Sequence, residues 1–241
     1  MAIGAAHSYI AQSLEMETSL HRQLKALYAG EGGLQEVVCG GYRIDAVRNG
    51  ELIEIQHGSL AAIREKVQRL TRRHRVRVVK PIVANKLLVK LDGRGGAELD
   101  RRRSPKRGTM LDLFDELVYF TRAFPHERLT LEVLLVDVEE RRYPGSGRRR
   151  RRRPGKDFQV EDQHLVRIVA TQSFATTADL RRLLPRRLPR QFHTQHLAER
   201  MKTPRWIAQR IVYCLRQMGA LQVVGKQGNA ILYNYAPPLA A

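Results

Sequence analysis

The stretch Tyr42–Gln56 (YRIDAVRNGELIEIQ) constrains this chain more than any other. It reads as two strands joined by a tight turn. Asn49-Gly50 is the strongest two-residue hairpin signal, because both positions tolerate positive φ. Ile44 and Ala46 flank Asp45 on the first strand. On the second, Leu52, Glu54 and Gln56 alternate with Ile53 and Ile55. Folding this hairpin brings Asp45 close to Glu54 and Gln56. An acid at a place where a strand pattern expects an apolar residue costs free energy unless it is paired. Two such acids side by side repel, and a divalent cation is the usual remedy. The bland alternative is an exposed hairpin with its polar residues in water.

The spacing of these residues resembles the PD-(D/E)XK nuclease superfamily, whose signature is an Asp, a gap of about ten residues and Glu-x-Lys on the next strand. Asp45, Glu54 and Gln56 occupy those places, with Gln replacing Lys, as in some restriction endonucleases and in the competence-protein CoiA-like branch. Glu17 stands where the superfamily often adds a Glu on the preceding helix, sharing a helical face with Leu20, Leu24 and Leu27. That opening is similar to the Holliday-junction resolvases. The resemblance covers about ninety residues. It implies a catalytic set of Glu17, Asp45, Glu54 and Gln56, and Mg²⁺ (or Mn²⁺) held by Asp45 and Glu54 with help from Glu17. Gln56 orients water but carries no charge and cannot serve as a base. Gln68, Lys66 and His57 are the neighbours that would compensate.

The positive charge is unevenly distributed. The 241 residues hold 43 Lys and Arg against 24 Asp and Glu, a net charge of +19. Residues 1–140 carry 22 basic and 19 acidic groups, 141–157 carry 9 and 1, and 158–241 carry 12 and 4. Such a surplus points to a polyanion. Aromatic residues at 6% offer little for base stacking, so DNA is favoured over RNA. Arg148, Arg149, Arg150, Arg151, Arg152 and Arg153 repel one another and bury no face, which predicts a disordered linker over 143–157. It separates a nuclease-like domain, 1–142, from a second domain, 158–241.

In the first domain the pattern predicts a helix over 13–29, strands over 36–39, 42–47 and 52–56, and a helix over 60–74. Strands follow at 75–83 and 86–91, split by a turn at Ala84-Asn85, then a helix over 110–123 and a strand over 129–138. Arg101, Arg102, Arg103, Lys106 and Arg107 lie in a polar stretch that suits a phosphate clamp or an ordinary solvated loop. In the second domain, helices are predicted over 162–170, 176–185, 193–201 and 205–218, then a β-hairpin over 221–233. That order resembles the winged helix-turn-helix fold. It implies a recognition helix with Arg205, Gln209 and Arg210 facing DNA and Lys226 at the wing tip.

The expected fold is therefore α/β, an αβββαβ mixed sheet of the restriction-endonuclease-like kind, plus a C-terminal α+β winged-helix domain. The expected function is a Mg²⁺-dependent DNA endonuclease in repair, recombination or defence. The alternative is a non-catalytic DNA-binding regulator with an inactive nuclease-like domain. Cys39 and Cys214, far apart and outside any CxxC, predict buried thiols in a reducing compartment. With no secretory leader and no apolar run of spanning length, the expectation is a cytoplasmic, nucleoid-associated protein without membrane contact, with room for a homodimer.

Overall fold

A computed structural model of the chain describes residues 17–145 and 157–236. Helix α1 (Ser19–Ala29) starts at Thr18, whose side chain accepts a hydrogen bond from the His21 amide. The strands β1 (Leu34–Cys39), β2 (Tyr42–Arg48) and β3 (Glu51–Ile55) form an antiparallel meander. Asn49 and Gly50 turn β2 into β3 with φ of 51° and 71°, the double positive φ that a type I′ turn requires. A short 3₁₀ turn (Leu60–Ile63), N-capped by Ser59, leads into α2 (Arg64–Leu70) and then β4 (Arg75–Leu91). β4 runs parallel to β3, as a helical crossover demands.

The remaining strands enlarge this sheet: β5 (Glu98–Arg103), β6 (Leu129–Pro144) and β7 (Phe158–Phe174). Its seven strands run β1-β2-β3-β4-β6-β7, with β5 pairing the end of β4. The parallel β3–β4 and β4–β6 pairs make the sheet mixed. Two expectations fail here. β4 is one seventeen-residue strand; Ala84-Asn85 forms a bulge, with the register against β6 slipping between Val83 and Asn85. The predicted helix over 162–170 is strand β7, paired antiparallel with β6 along its whole length. Val160, Val166, Ile168, Val169 and Thr171 are β-branched and suit a pleated surface, and β6 offers a long unpaired edge.

β7 also changes the role of the arginine-rich segment. Gly145 donates its amide hydrogen to the Asp157 carbonyl at 3.1 Å, closing the ends of β6 and β7 together. The segment expected to link two domains instead connects two neighbouring strands, and the sheet continues to Phe174. Arg148–Arg153 themselves lie outside the described residues.

Between β5 and β6 a 3₁₀ turn (Met110–Asp112) and α3 (Leu113–Leu117) replace the predicted fourteen-residue helix. After β7 come α4 (Thr177–Arg181), α5 (Thr194–Met201), α6 (Arg205–Gln217), β8 (Leu221–Gln227) and β9 (Ala230–Tyr235). Thr176 caps α4 in a reciprocal box with Asp179. His193 caps α5. Gly219, with φ 73°, lies just past α6, where a left-handed residue ends a helix. β8 and β9 form a separate hairpin, and Phe192 bridges to Tyr233 beside it.

Two apolar cores sandwich the sheet. On one face Leu20, Leu24 and Ala29 of α1 cover Ala46, Ile53, Ile55, Val79 and Leu134. On the other, α2 and α3 cover Leu52, Val76, Val78 and Leu131, and this core continues without a break into Phe174, Leu197, Ile211 and Leu215. The C-terminal elements thus share apolar burial with the sheet. The Cys214 thiol donates to the Phe114 carbonyl, and Arg210 pairs with Asp115 across the same junction. Both cysteines are free thiols, Cys214 buried and Cys39 half-buried beside His74. No helix among the described residues is long and apolar enough to cross a membrane.

Candidate active site

The hairpin positions its acids by ending its own ladder early. β2 and β3 pair through Ala46–Ile53, and there the pairing stops. The Ile55 amide, which a further ladder step would occupy, donates instead to Asp45 Oδ2 at 2.8 Å. The Gln56 amide donates to the Val79 carbonyl of β4 at 2.8 Å, which keeps β3 attached on its other side. Glu54 therefore stands in the splay between β2 and β3, on the α2 side of the sheet, with only 8% of its surface exposed.

Lys66 on α2 fills the place that the strand leaves without a cation. Its ammonium donates to Glu54 Oε1 and to the Arg43 carbonyl, both at 2.5 Å. Glu54 Oε2 is buried and has no hydrogen-bond partner. Burial, and then the charge of Asp45, push the Glu54 carboxyl up to about 7 against the opposing pull of Lys66. Burial also pushes Asp45 up, but hydrogen bonds from His21 and the Ile55 amide, and the charges of His21 and Lys25, outweigh it and hold this carboxyl below its ordinary value. One acid is thus poised to hold a proton near neutrality while its neighbour stays ionised.

Helix α1 supplies the other wall. His21 Nε2 lies 3.3 Å from Asp45 Oδ1 and 3.4 Å from Glu17 Oε1. Lys25, 5% exposed, pairs with Glu17 at 2.5 Å and with Glu36 of β1. Glu17 is thus drawn into an ion-pair cluster with Lys25 and His21, just before the helix begins, and Leu27, expected beside it, is half exposed. Gln56 also departs from expectation. Its amide donates to the Ser59 carbonyl at 2.9 Å, inside its own loop. The polar neighbour of Glu54 is Lys66 instead. A sequence signal for it exists: Ile63, Lys66, Val67 and Leu70 repeat at i, i+3, i+4, i+7, so a lysine occupies a position on the buried helix face. His57 is exposed and belongs to the loop that Lys80 braces through the His57 and Gly58 carbonyls. Crowding by protein atoms, then the charges of Lys80 and Lys86, depress its imidazole.

Among the described residues, no three His, Cys, Asp or Glu side chains are gathered into a metal cage. Mg²⁺ does not ask for one; it takes one or two carboxylates and keeps several waters. Asp45 and Glu54 fit that donor set, and the unpartnered Glu54 Oε2 is the atom such an ion would satisfy.

The basic residues separate into distinct groups. Arg101 is held by Glu98 at 2.8 Å and Glu139 at 3.1 Å, which removes it from any clamp. Arg103 lines a small hollow with Asp137 and Arg167. Arg102, Lys106 and Arg107 open onto a shared cleft. Arg205 and Gln209 line a groove between α6 and the β8–β9 hairpin, together with Arg216 and Asn229. Arg210 is directed elsewhere: it pairs with Asp115 and stacks over the Trp206 ring at 4.7 Å. Lys226 is exposed near the end of β8.

Residues 18–175 match the model of a protein family described as a domain of unknown function, DUF8091, and the chain belongs to that family. The match runs from the cap of α1 to the end of β7, spanning the whole large sheet. An uncharacterized protein of Treponema pallidum (strain Nichols) is 29% identical over 234 residues, covering 92% of this chain and 86% of the relative. No solved structure matches the chain.

Proposed function

We propose that this DUF8091 chain is a Mg²⁺-dependent DNA endonuclease of PD-(D/E)XK type, with its C-terminal elements serving as a winged helix that holds DNA. The observation that carries the reading is the Glu54 carboxylate, buried beside Asp45, with Lys66 on one oxygen and nothing on the other. The element order α1-β1-β2-β3-α2-β4, with β3 and β4 parallel, supports it. The C-terminal order also supports a winged helix: helix, bridging residue Phe192, two helices joined at Lys202–Pro204, then a hairpin.

In this reading Asp45 and Glu54 would hold the ion, which would supply charge relief at the scissile phosphate and a water of lowered pKa. Lys66 does the work usually given to a strand lysine. An ammonium has three donors; Glu54 and the Arg43 carbonyl take two, and the third serves an attacking water or a phosphate oxygen. His21 and the Ile55 amide fix Asp45 in its ionised form. Arg205, Gln209 and Arg216 face DNA, while Arg210 anchors α6 to α3.

The test is cleavage of a mixed panel of DNA (duplex, nicked, flapped, junction and single-stranded) with Mg²⁺ or with EDTA, beside Asp45→Ala. Mg²⁺-dependent cleavage that Asp45→Ala abolishes is expected. A panel left intact by the wild-type chain, or cut equally by the variant, overturns the reading.

A further inference from the structure

β4 and β6 continue well beyond the Asp45–Glu54 site, and near their far end the surface is concave and cationic. A cleft of about 590 Å³ opens between β4, the loop 104–108 and the ends of β6 and β7. Its floor is apolar, from Ile82, Leu88 and Phe158. Its walls carry Lys86, Arg102, Lys106, Arg107 and Arg142. The single carboxylate lining it, Asp112, is occupied in capping the Thr109 amide at 3.1 Å. A second hollow of about 340 Å³ adjoins it and shares Leu88, Arg102, Arg142 and Phe158, so the two form one trough; this end also carries Lys90 and the carboxylates of Asp100 and Asp157.

The trough is held in shape. Glu140, 2% exposed, accepts from Lys86, Arg142 and Gln163, which fixes two of the cations. The Arg142 guanidinium lies 3.9 Å over the Phe158 ring. The loop carrying Lys106 and Arg107 is anchored at both ends, by Ser104 N to the Lys86 carbonyl at 2.8 Å and Gly108 N to the Val83 carbonyl at 3.0 Å. A Cβ on Gly108 would stand 2.4 Å from that Val83 oxygen, so only glycine lets the loop come so close. Arg102, Lys106 and Arg107, by contrast, have no carboxylate within ion-pair reach among the described residues. Their charge is available to a ligand.

We infer that this trough binds a single strand of DNA, with phosphates on Arg102, Lys106 and Arg107 and an unpaired base over the apolar floor at Leu88 and Phe158. The inference rests on the nuclease reading for its choice of DNA and adds the form of the substrate. Phosphate tracking on a duplex needs projecting cations and no apolar floor. A recessed cationic groove with an aromatic at its base is the arrangement that holds one strand. The trough also lies along β4, the strand paired in parallel beside β3. Lys80 braces the loop after Gln56, and Lys86 is six residues further along β4, about 20 Å at strand rise. A strand end lying in the trough is therefore within a few nucleotides of Glu54. This favours flapped or frayed substrates over continuous duplex.

The experiment uses the full chain in EDTA, so that binding is read without cleavage. Fluorescence anisotropy is measured with a labelled oligo-dT, a duplex of equal length and an oligo-rU, over a salt series. The double variant Arg102→Ala/Lys106→Ala, at exposed positions, should weaken oligo-dT binding at least tenfold. It should flatten the plot of log affinity against log salt by about 1.4 units, two lost phosphates at about 0.7 each. Duplex affinity should stay within twofold. Phe158→Leu keeps the apolar bulk and removes the ring; it should weaken oligo-dT several-fold with the salt slope unchanged. Arg73→Ala, a charge lost in the turn after α2, should change nothing. Equal losses on single strand and duplex, no loss on oligo-dT, or tighter binding of oligo-rU than oligo-dT by the wild type would each overturn the inference. Failure of the nuclease reading is distinguishable: it appears as intact DNA in Mg²⁺ while the oligo-dT dependence on Arg102 and Lys106 persists.

Discussion

Glu54→Gln tests the electrostatics of the site without requiring a substrate. Its carboxyl titrates at about 7 in the fold, against 4.5 for an unperturbed glutamate. The difference of roughly 2.5 units, at about 1.4 kcal/mol each, makes the ionised form cost ~3 kcal/mol in the metal-free protein. The sign follows from the raised value. Below pH 4.5 the group is protonated in both the folded and unfolded states and imposes no penalty. As pH rises through 7 the unfolded chain releases the proton first, and stability falls. Glutamine has no such dependence. In urea denaturation without metal, the stability of wild type minus that of Glu54→Gln should therefore fall by ~3 kcal/mol between pH 4.5 and pH 8. Mg²⁺ at pH 8 should restore much of it to the wild type and none to the variant. A stability difference that is the same at both pH values would refute the assignment of Glu54 as a buried carboxylate strained by Asp45.

Further outcomes follow from the same geometry. Lys66→Ala should reduce cleavage at saturating DNA by 100-fold or more, whereas Gln56→Ala should leave it within a few-fold, as measured by single-turnover cleavage on one substrate. Arg205→Ala should cost roughly 1–3 kcal/mol on a preferred duplex and less on others, while Arg210→Ala should cost under ~1 kcal/mol of stability, since its pair with Asp115 is nearly half exposed; competition binding and thermal melting separate the two. Phe174→Ala, at a fully buried ring where the sheet meets the C-terminal helices, should cost ~3–5 kcal/mol and melt the sheet and the helices in one transition; two transitions would show that the cores are independent.

The parts of the fold written in local patterns were legible in the sequence. The Asn49-Gly50 turn and the helical crossover into β4 both arise within a few residues of their signals. What was misread depends on distant partners. Residues 162–170 look helical until β6 is known to need an edge partner some thirty residues earlier in the chain. Asn85 looks like a turn but absorbs a bulge while its side chain bonds Asp137 on β6. The strands on either side of the arginine run pair with each other, as the Pro144–Phe158 register and the hydrogen bond between Gly145 and Asp157 show, and no local pattern announces it. At the site, Asp45 and Glu54 were readable because the hairpin register alone sets them side by side. Lys66 was named only as one of three compensating neighbours, with Gln68 and His57, because choosing among them depends on how α2 docks over β3. For Gln56 and Glu17, spacing places them near the acids, and only tertiary contacts with Ser59, Lys25 and His21 show where their side chains go. The basic residues divide by acidic neighbours that no linear pattern reveals, Glu98 and Glu139 at Arg101 and Asp115 at Arg210.

The central claim, that Asp45 and Glu54 form a divalent-ion site, is tested most directly by Mn²⁺ binding. The free hexaaqua ion gives a sharp electron paramagnetic resonance signal that weakens as the ion is bound. Titrating the full chain at pH 8 should show at least one bound Mn²⁺ that Mg²⁺ displaces. Asp45→Ala and Glu54→Gln should each lose that ion, and Lys66→Ala should keep it. Equal Mn²⁺ binding by wild type and both acid variants would contradict the account.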